Sequence, residues 1–351
     1  MSNKSAKETV KFVCIGCGSI ARHRHLPEIV ANPQAELVAV CDIHPGRAEE
    51  TAKRYGGKAY TDHKTMLKEC DADVCVVATP NALHAPHTLD AFDAGMHVLV
   101  EKPMAGTRDE ARGMIDAAKK AGKFLMIGMN QRLMPAHVAA KEHLDSGKLG
   151  KVLAFETNFK HGGPDGWSID GAKSWFFKPE LAVLGVCGDL GIHKVDLMRY
   201  LLGEEFDSVG GYVVTLDKKT PDGKPLQLDD NAFLELRTKS GVVGSIHISW
   251  THYGNFEDNG TVLFCEKGVM RIGMDKEYGL LVDYRDGRRE RHVVGEMATN
   301  TKQVSSGVAD RMTECVLTHT PPTIDGEEGY KALHVVLAGI EAANEKTIKS
   351  V

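Results

Sequence analysis

Residues 185–203 place Asp189, His193 and Asp196 at i, i+4 and i+7 in Gly-Asp-Leu-Gly-Ile-His-Lys-Val-Asp. On a helix these positions share one face. A carboxylate one turn from an imidazole orients the ring and holds its proton. Histidine titrates near ~6.5 unperturbed, which suits general acid–base work at neutral pH. Asp196, a further turn on, reads as structural.

A second chemical signal lies near the start of the chain. Gly16-Cys17-Gly18-Ser19-Ile20-Ala21 is Gly-x-Gly-x-x-Ala. It follows a strand-like run and precedes helical spacing. The first glycine permits a tight turn, the second lets backbone approach a pyrophosphate, and the helix N-terminus favours the phosphate charge. A second strand ends at Asp42, whose carboxylate can accept hydrogen bonds from ribose hydroxyls and repel a 2′-phosphate. Gly16, Gly18, Ser19, Ile20, Asp42 and Ile43 are therefore candidate cofactor contacts. NAD is favoured over NADP, with His44 and Arg47 as the features on the other side.

These residues must be positioned by a parallel sheet. Short apolar runs at Lys11–Ile15, Glu36–Cys41, Asp73–Ala78, His97–Val100 and Phe124–Ile127 alternate with helical spacing at 19–31, 45–55, 81–94 and 108–121. That alternation predicts an α/β, doubly wound Rossmann domain over 10–130 after a disordered tail, 1–9. Ligands bind at the carboxyl ends of such strands. Thr79, Pro80, Asn81 and His84 lie at one such end, and Glu101, Lys102 and Pro103 at another; all of these except Pro103 are further candidate cofactor contacts. A lysine there can donate to a reacting oxygen. On spacing alone an exposed loop lysine is an equal reading.

The pattern changes over 131–351. A helix over Pro135–Asp145 and a strand-like run over Lys151–Lys160 precede a glycine- and tryptophan-containing loop. After the Asp189 helix come strand-like runs from Ser208 to Val294, several separated by turn signals at 221–223, 239–241 and 285–287. Helices are expected over 302–318 and 327–348. The second domain is read as α+β with a large, mostly antiparallel open sheet, and its last helix is expected to pack back near the first domain.

Composition narrows the partners. The chain has 351 residues, a formal net charge of −5 and 42% hydrophobic residues. Without a polybasic run, nucleic acid is not an expected partner. No apolar run approaches the ~18 residues of a membrane span, and the polar first residues lack a signal-peptide core. Eight cysteines without a paired framework suit a reducing cytoplasm. Cys14 and Cys17 form Cys-x-x-Cys, but Cys17 sits inside the glycine fingerprint and no second pair exists, so packing is the preferred reading. His23 and His25 lack acidic or cysteine partners at ligand spacing, and no metal is expected.

The ordered set Gly-x-Gly-x-x-Ala, Thr-Pro-Asn-x-x-His, Glu-Lys-Pro and Gly-Asp-Leu-Gly-Ile-His-x-x-Asp resembles the Gfo/Idh/MocA oxidoreductase family, which includes inositol dehydrogenases and glucose–fructose oxidoreductase. The resemblance implies that Lys102, Asp189 and His193 form the catalytic group and that the Lys102–Pro103 peptide is cis. It places Trp175, in Trp-Phe-Phe, near the nicotinamide. It also implies a homodimer or homotetramer built through the second sheet. One departure is Ala182-Val183-Leu184-Gly185-Val186, where many relatives carry a glycine pair.

The expected reaction is NAD-dependent oxidation of a secondary hydroxyl on a cyclic polyol or sugar. The alternative is an NAD-dependent glycosidase or lyase acting by oxidation and elimination. Asn130, His161 and Tyr253, with Lys102, Asp189 and His193, are the candidate substrate contacts. Asn130 and Trp175 are counted with the cofactor contacts as well.

Overall fold

The computed structural model describes residues 8–220, 222–254, 257–295 and 306–351. Most of the expected tail, Pro221 of one turn and the start of the expected 302–318 helix lie outside them. The chain divides into two units. One comprises residues up to Met129 plus a segment ending at Tyr330, and the other holds the remainder.

The first unit is built on β1 (Val10–Ile15), α1 (Leu26–Ala31), β2 (Ala35–Cys41), α2 (Pro45–Tyr55), β3 (Lys58–Tyr60), α3 (His63–Glu69), β4 (Val74–Val77), α4 (His84–Asp93), β5 (His97–Val100), α5 (Arg108–Ala121) and β6 (Leu125–Ile127). The six strands pair in parallel in the order β3-β2-β1-β4-β5-β6. All four residues of β4 are buried, as a strand covered on both faces requires. Local signals set several helix starts. Thr107 and Glu110 form a reciprocal capping box at α5. Asp62 caps α3 by accepting from the Thr65 amide at 2.8 Å.

The sequence reading missed β3 and α3. β3 is three residues long, too short to show alternation. It also ran a single helix over 19–31, where a π-helical turn at Ala21–His25 precedes α1.

The second unit contains α6 (Pro135–Asp145), β7 (Val152–Lys160), α7 (Pro179–Ala182), α8 (Ile192–Leu202), β8 (Phe206–Val214), β9 (Asn231–Thr238), β10 (Val243–Ser249), β11 (Thr261–Cys265), β12 (Gly268–Ile272), β13 (Leu280–Tyr284) and β14 (Arg289–His292). The chain ends with α9 (Val308–Thr318), α10 (Gly326–Glu345) and β15 (Lys349–Ser350). The nine-stranded sheet runs β14-β13-β12-β11-β7-β10-β9-β8-β15, antiparallel except between β7 and β10. β9 alternates strictly: Ala232, Leu234 and Leu236 are buried, whereas Phe233, Glu235 and Arg237 are exposed. α8 is buried from Ile192 through Arg199. A Cβ at Gly191, just before it, would come within 2.8 Å of Ile248 on β10, so glycine here permits the helix to lie close on the sheet.

The domain boundary needs one correction. Residues 131–351 do not form one unit, and the segment that returns to the first domain is chiefly α9. Val308, Ala309, Met312 and Val316 join the core formed by Phe12, Ile29 and Val76. Glu28, buried on α1, accepts from the backbone amides of Ser306, Gly307 and Ala309 and so holds the start of α9. Most of α10, from Lys331 onward, groups instead with the second unit.

Candidate active site

In the first unit the glycine loop follows β1. Gly16 has φ +95°, and a Cβ there would lie 2.4 Å from the Ala78 carbonyl oxygen, so the fold itself demands glycine. Gly18 differs: a Cβ there would meet nothing within 4 Å. The protein's own packing leaves Gly18 unexplained, whereas a pyrophosphate approaching the backbone explains it. Asp42 ties this loop to the end of β2. Its Oδ2 accepts from the Cys17 amide at 3.0 Å and its Oδ1 from the His44 amide at 2.9 Å. The Arg47 guanidinium lies 4.0 Å from Oδ2. Ser19 is buried, Ile20 half-buried, and Ile43 strongly exposed. These residues fit a dinucleotide, and Gly16, Gly18 and Asp42 would hold it.

Cys14 and Cys17 are fully buried, and burial pushes the Cys17 thiol up to about 12. All eight cysteines are free thiols. The Cys-x-x-Cys spacing is therefore a packing feature.

The two later strand ends are joined by His84. Its Nδ1 lies 2.7 Å from the Pro103 carbonyl and its Nε2 2.9 Å from the Thr79 carbonyl. Burial lowers the pKa of His84, against the pull of those two carbonyls. The ring thus clamps the loop after β4 to the loop after β5. Thr79 and Pro80 are half-buried, and Asn81 is buried. Glu101 is buried against His25 at 2.7 Å. Burial alone would raise the Glu101 pKa, but the His25 hydrogen bond and the His25, Lys102 and Arg24 charges hold it down at about 2. Glu101 Oε2 also accepts from the Lys102 amide at 3.1 Å. The Lys102–Pro103 peptide is cis, and the Lys102 side chain is half-buried. His25 is the partner that keeps Glu101 ionised.

The second unit carries the candidate acid–base pair. Asp189 lies in a π-helical turn, Cys187–Gly191, that runs directly into α8, and His193 is in the first turn of α8. Asp189 is 4% and His193 5% exposed. Asp189 Oδ2 accepts from Trp250 Nε1 at 3.0 Å and lies 3.9 Å from His161 Nε2. His161 accepts at Nδ1 from the Gly163 amide at 2.9 Å, which turns its other nitrogen towards Asp189. The His193 ring centroid is 6.1 Å from that of Phe159. Asp229 braces the turn by accepting from the Cys187 amide at 2.7 Å and the Gly185 amide at 3.3 Å. Burial raises the pKa of Asp229 despite those donors.

Asp189 and His161 are thus brought together, with Trp250 as a member the sequence reading missed, and His193 follows Asp189 by four residues into α8. Its signal was weak: one tryptophan after a strand, in Ser-Trp-Thr. Asp196 is structural, held by a bidentate pair from Arg132 at 2.6 and 2.8 Å. Tyr253 is 60% exposed, and its hydroxyl donates to Asp217 at 2.6 Å. Asn130 is buried at the start of the second unit. Trp175 is half-buried and stacks on Phe176 with centroids 3.8 Å apart.

Comparison with known proteins agrees with this arrangement. Residues 10–129 match the family described as an oxidoreductase family with an NAD-binding Rossmann fold, and 137–271 match the GFO/IDH/MocA C-terminal domain. Levoglucosan dehydrogenase of Pseudarthrobacter phenanthrenivorans is 31% identical over 63% of this chain and 62% of its own length. D-glucoside 3-dehydrogenase of Escherichia coli is 33% identical over 58% and 57%. The matched stretch therefore spans about three-fifths of those relatives. The crystal structure of aldose–aldose oxidoreductase from Caulobacter crescentus complexed with glycerol superposes with a TM-score of 0.83 at 26% identity, over 98% of this chain and 100% of that one. With both family domains matched in order and the glycine loop, Glu-Lys-Pro turn and Asp189–His193 helix in place, the chain belongs to the Gfo/Idh/MocA oxidoreductase family.

Proposed function

We propose that this protein oxidises a secondary hydroxyl of a sugar or cyclic polyol, with NAD as the hydride acceptor. The observation that carries the reading is the buried Asp189 centre, in which Trp250 and His161 fix the carboxylate one helical turn before His193. NAD, when bound, supplies the redox step itself. His193 takes the hydroxyl proton as general base. Asp189 holds the imidazole and stabilises its cationic form. Lys102 donates a hydrogen bond to the reacting oxygen. Asn130 and His161 are proposed substrate contacts, and Trp175 a contact of the cofactor's nicotinamide end.

The names of the relatives support a sugar substrate and a dehydrogenase over oxidation–elimination. The carboxylate of Asp42 supports NAD over NADP. The test is a panel of inositols, hexoses and anhydrosugars with each cofactor, followed by reduced-cofactor absorbance. Reduced NAD should accumulate with at least one free polyol. Release of a glycosidic substituent without reduced cofactor, or a strong preference for NADP, would overturn the assignment.

We also propose a homodimer or homotetramer assembled through the nine-stranded sheet. Tyr212, Phe233 and His247 lie in register across β8, β9 and β10 on its exposed face. Phe233 and His247 stack at 4.1 Å. An apolar row of this kind on an open face suits a second copy. Light scattering of Phe233→Lys, expected to be a smaller species than the parent, tests it. Eight free thiols support a cytoplasmic setting. No helix among the described residues is long and apolar enough to cross a membrane.

A further inference from the structure

The second unit carries another chemically capable cluster, at the β14 edge of its sheet. Glu290 and His292 are two residues apart on β14 and project from one face. His143 reaches them from the last turn of α6. His143 Nδ1 lies 3.8 Å from Glu290 Oε2, and His292 Nε2 lies 3.2 Å from the same oxygen. One ligand atom from each residue falls within 4.8 Å of the others. His143 is nearly buried, whereas Glu290 and His292 are each about one-third exposed and open to ions from solvent.

Tyr284 decides where the protons sit. Its hydroxyl donates to Glu290 Oε1 at 2.8 Å, so its lone pairs are left for His143 Nε2 at 3.1 Å. Nε2 must then carry the imidazole proton, and Nδ1 presents a lone pair beside Glu290 Oε2. The Tyr284 hydroxyl thus holds the Glu290 carboxylate by one oxygen and leaves Oε2 facing both rings. Metal-ligating imidazoles and carboxylates ordinarily have this kind of outer hydrogen-bond support. Two cations oppose the arrangement: Lys148 acts on both His143 and Glu290, and the Arg288 guanidinium stacks 4.4 Å above the Tyr284 ring.

We propose that His143, Glu290 and His292 bind one divalent transition-metal ion of the zinc class, which fastens α6 to the edge strand β14 and keeps a fourth position for water. Two imidazoles and one carboxylate suit zinc, whereas magnesium and calcium take oxygen ligands. Metal–ligand bonds of about 2.0–2.1 Å in a tetrahedron place ligand atoms about 3.3–3.4 Å apart, close to the spacing of Glu290 Oε2 from both rings. The site was invisible to chain spacing because His143 and Glu290 are brought together only by the sheet.

The test is calorimetric titration of the chelator-treated full chain with zinc chloride, together with thermal melting. One equivalent should bind, and the melting temperature should rise. Glu290→Gln keeps the shape and removes the charge. It and His292→Ala should weaken binding at least tenfold, and Tyr284→Phe by roughly 10–100-fold. Circular dichroism checks that each variant is folded, and Glu290→Gln with Tyr284→Phe suffices should His292→Ala fail that check. Absence of zinc binding by the parent chain would overturn the proposal. So would equal affinity in folded Glu290→Gln and Tyr284→Phe.

Discussion

Trp250 Nε1 donates a 3.0 Å hydrogen bond to Asp189 Oδ2, and both side chains are buried. The indole comes from the end of β10 and the carboxylate from the turn before α8. One oxygen of Asp189 is thereby fixed, and the carboxylate cannot rotate freely beside His193. Replacing Trp250 with Phe keeps most of the bulk and deletes the donor. A hydrogen bond to a charged group contributes about 1.5–3 kcal/mol. If that energy is expressed in the transition state, kcat falls roughly 10–100-fold with little change in KM. Steady-state kinetics on the substrate found by the panel would show it. An unchanged kcat would separate Trp250 from the chemistry.

His193→Ala and Lys102→Ala should each lower turnover by roughly 10²–10⁴-fold, the range of a general acid–base contribution. His193→Ala should leave NADH affinity close to that of the parent, because His193 is proposed to act on the substrate hydroxyl and the glycine loop to hold the pyrophosphate. Fluorescence titration with NADH separates the two effects. Full activity in both variants would refute the catalytic assignment.

Gly16 and Gly18 should respond differently to the same added methyl. Gly16→Ala drives a Cβ towards the Ala78 carbonyl at 2.4 Å with φ at +95°, so it destabilises the fold itself. A non-glycine residue held in such a region costs on the order of 1–3 kcal/mol before any clash. Gly18→Ala has open space around it and should melt as the parent does, yet show weaker NADH binding. A melting curve and an NADH titration on each variant check the contrast.

Lys194 gives a pH-dependent prediction. It is fully buried on α8, its Nζ has no hydrogen-bond partner among the described residues, and burial lowers its pKa from 10.5 to about 7. Between those values the unfolded chain holds a proton that the folded chain does not. Stability therefore rises with pH across that window, and the penalty is largest at and below about 7. Lys194→Met removes the penalty. It should melt higher than the parent at neutral pH, and the advantage should shrink as the pH approaches 10.5.

Much of the fold was legible because its signals are local. Buried parallel strands appear as continuous apolar runs, as in β4, and the capping box of α5 is written in four consecutive residues. β3 and β15 were missed because two or three residues carry no period. The candidate site was legible to the same extent. The glycine loop and the Asp189–His193 spacing are each contained within a few residues, so sequence alone named them.

The remainder required the tertiary structure. Trp250 beside Asp189, His25 beneath Glu101, Arg132 on Asp196 and His143 against Glu290 join residues far apart in the chain. Nothing in either local segment specifies the other, because such partners are selected by strand order and by which helix covers which part of a sheet. The same holds for α9, whose apolar face reads identically whichever core it joins. Glu28 and the core around Phe12 decide that it returns to the first unit. The sequence by itself determined the glycine loop and the Asp189–His193 spacing proposed as the acid–base pair, because each is set within one or two turns of chain. Only the folded topology decided which distant side chains hold them, because those contacts exist only once the sheets have formed.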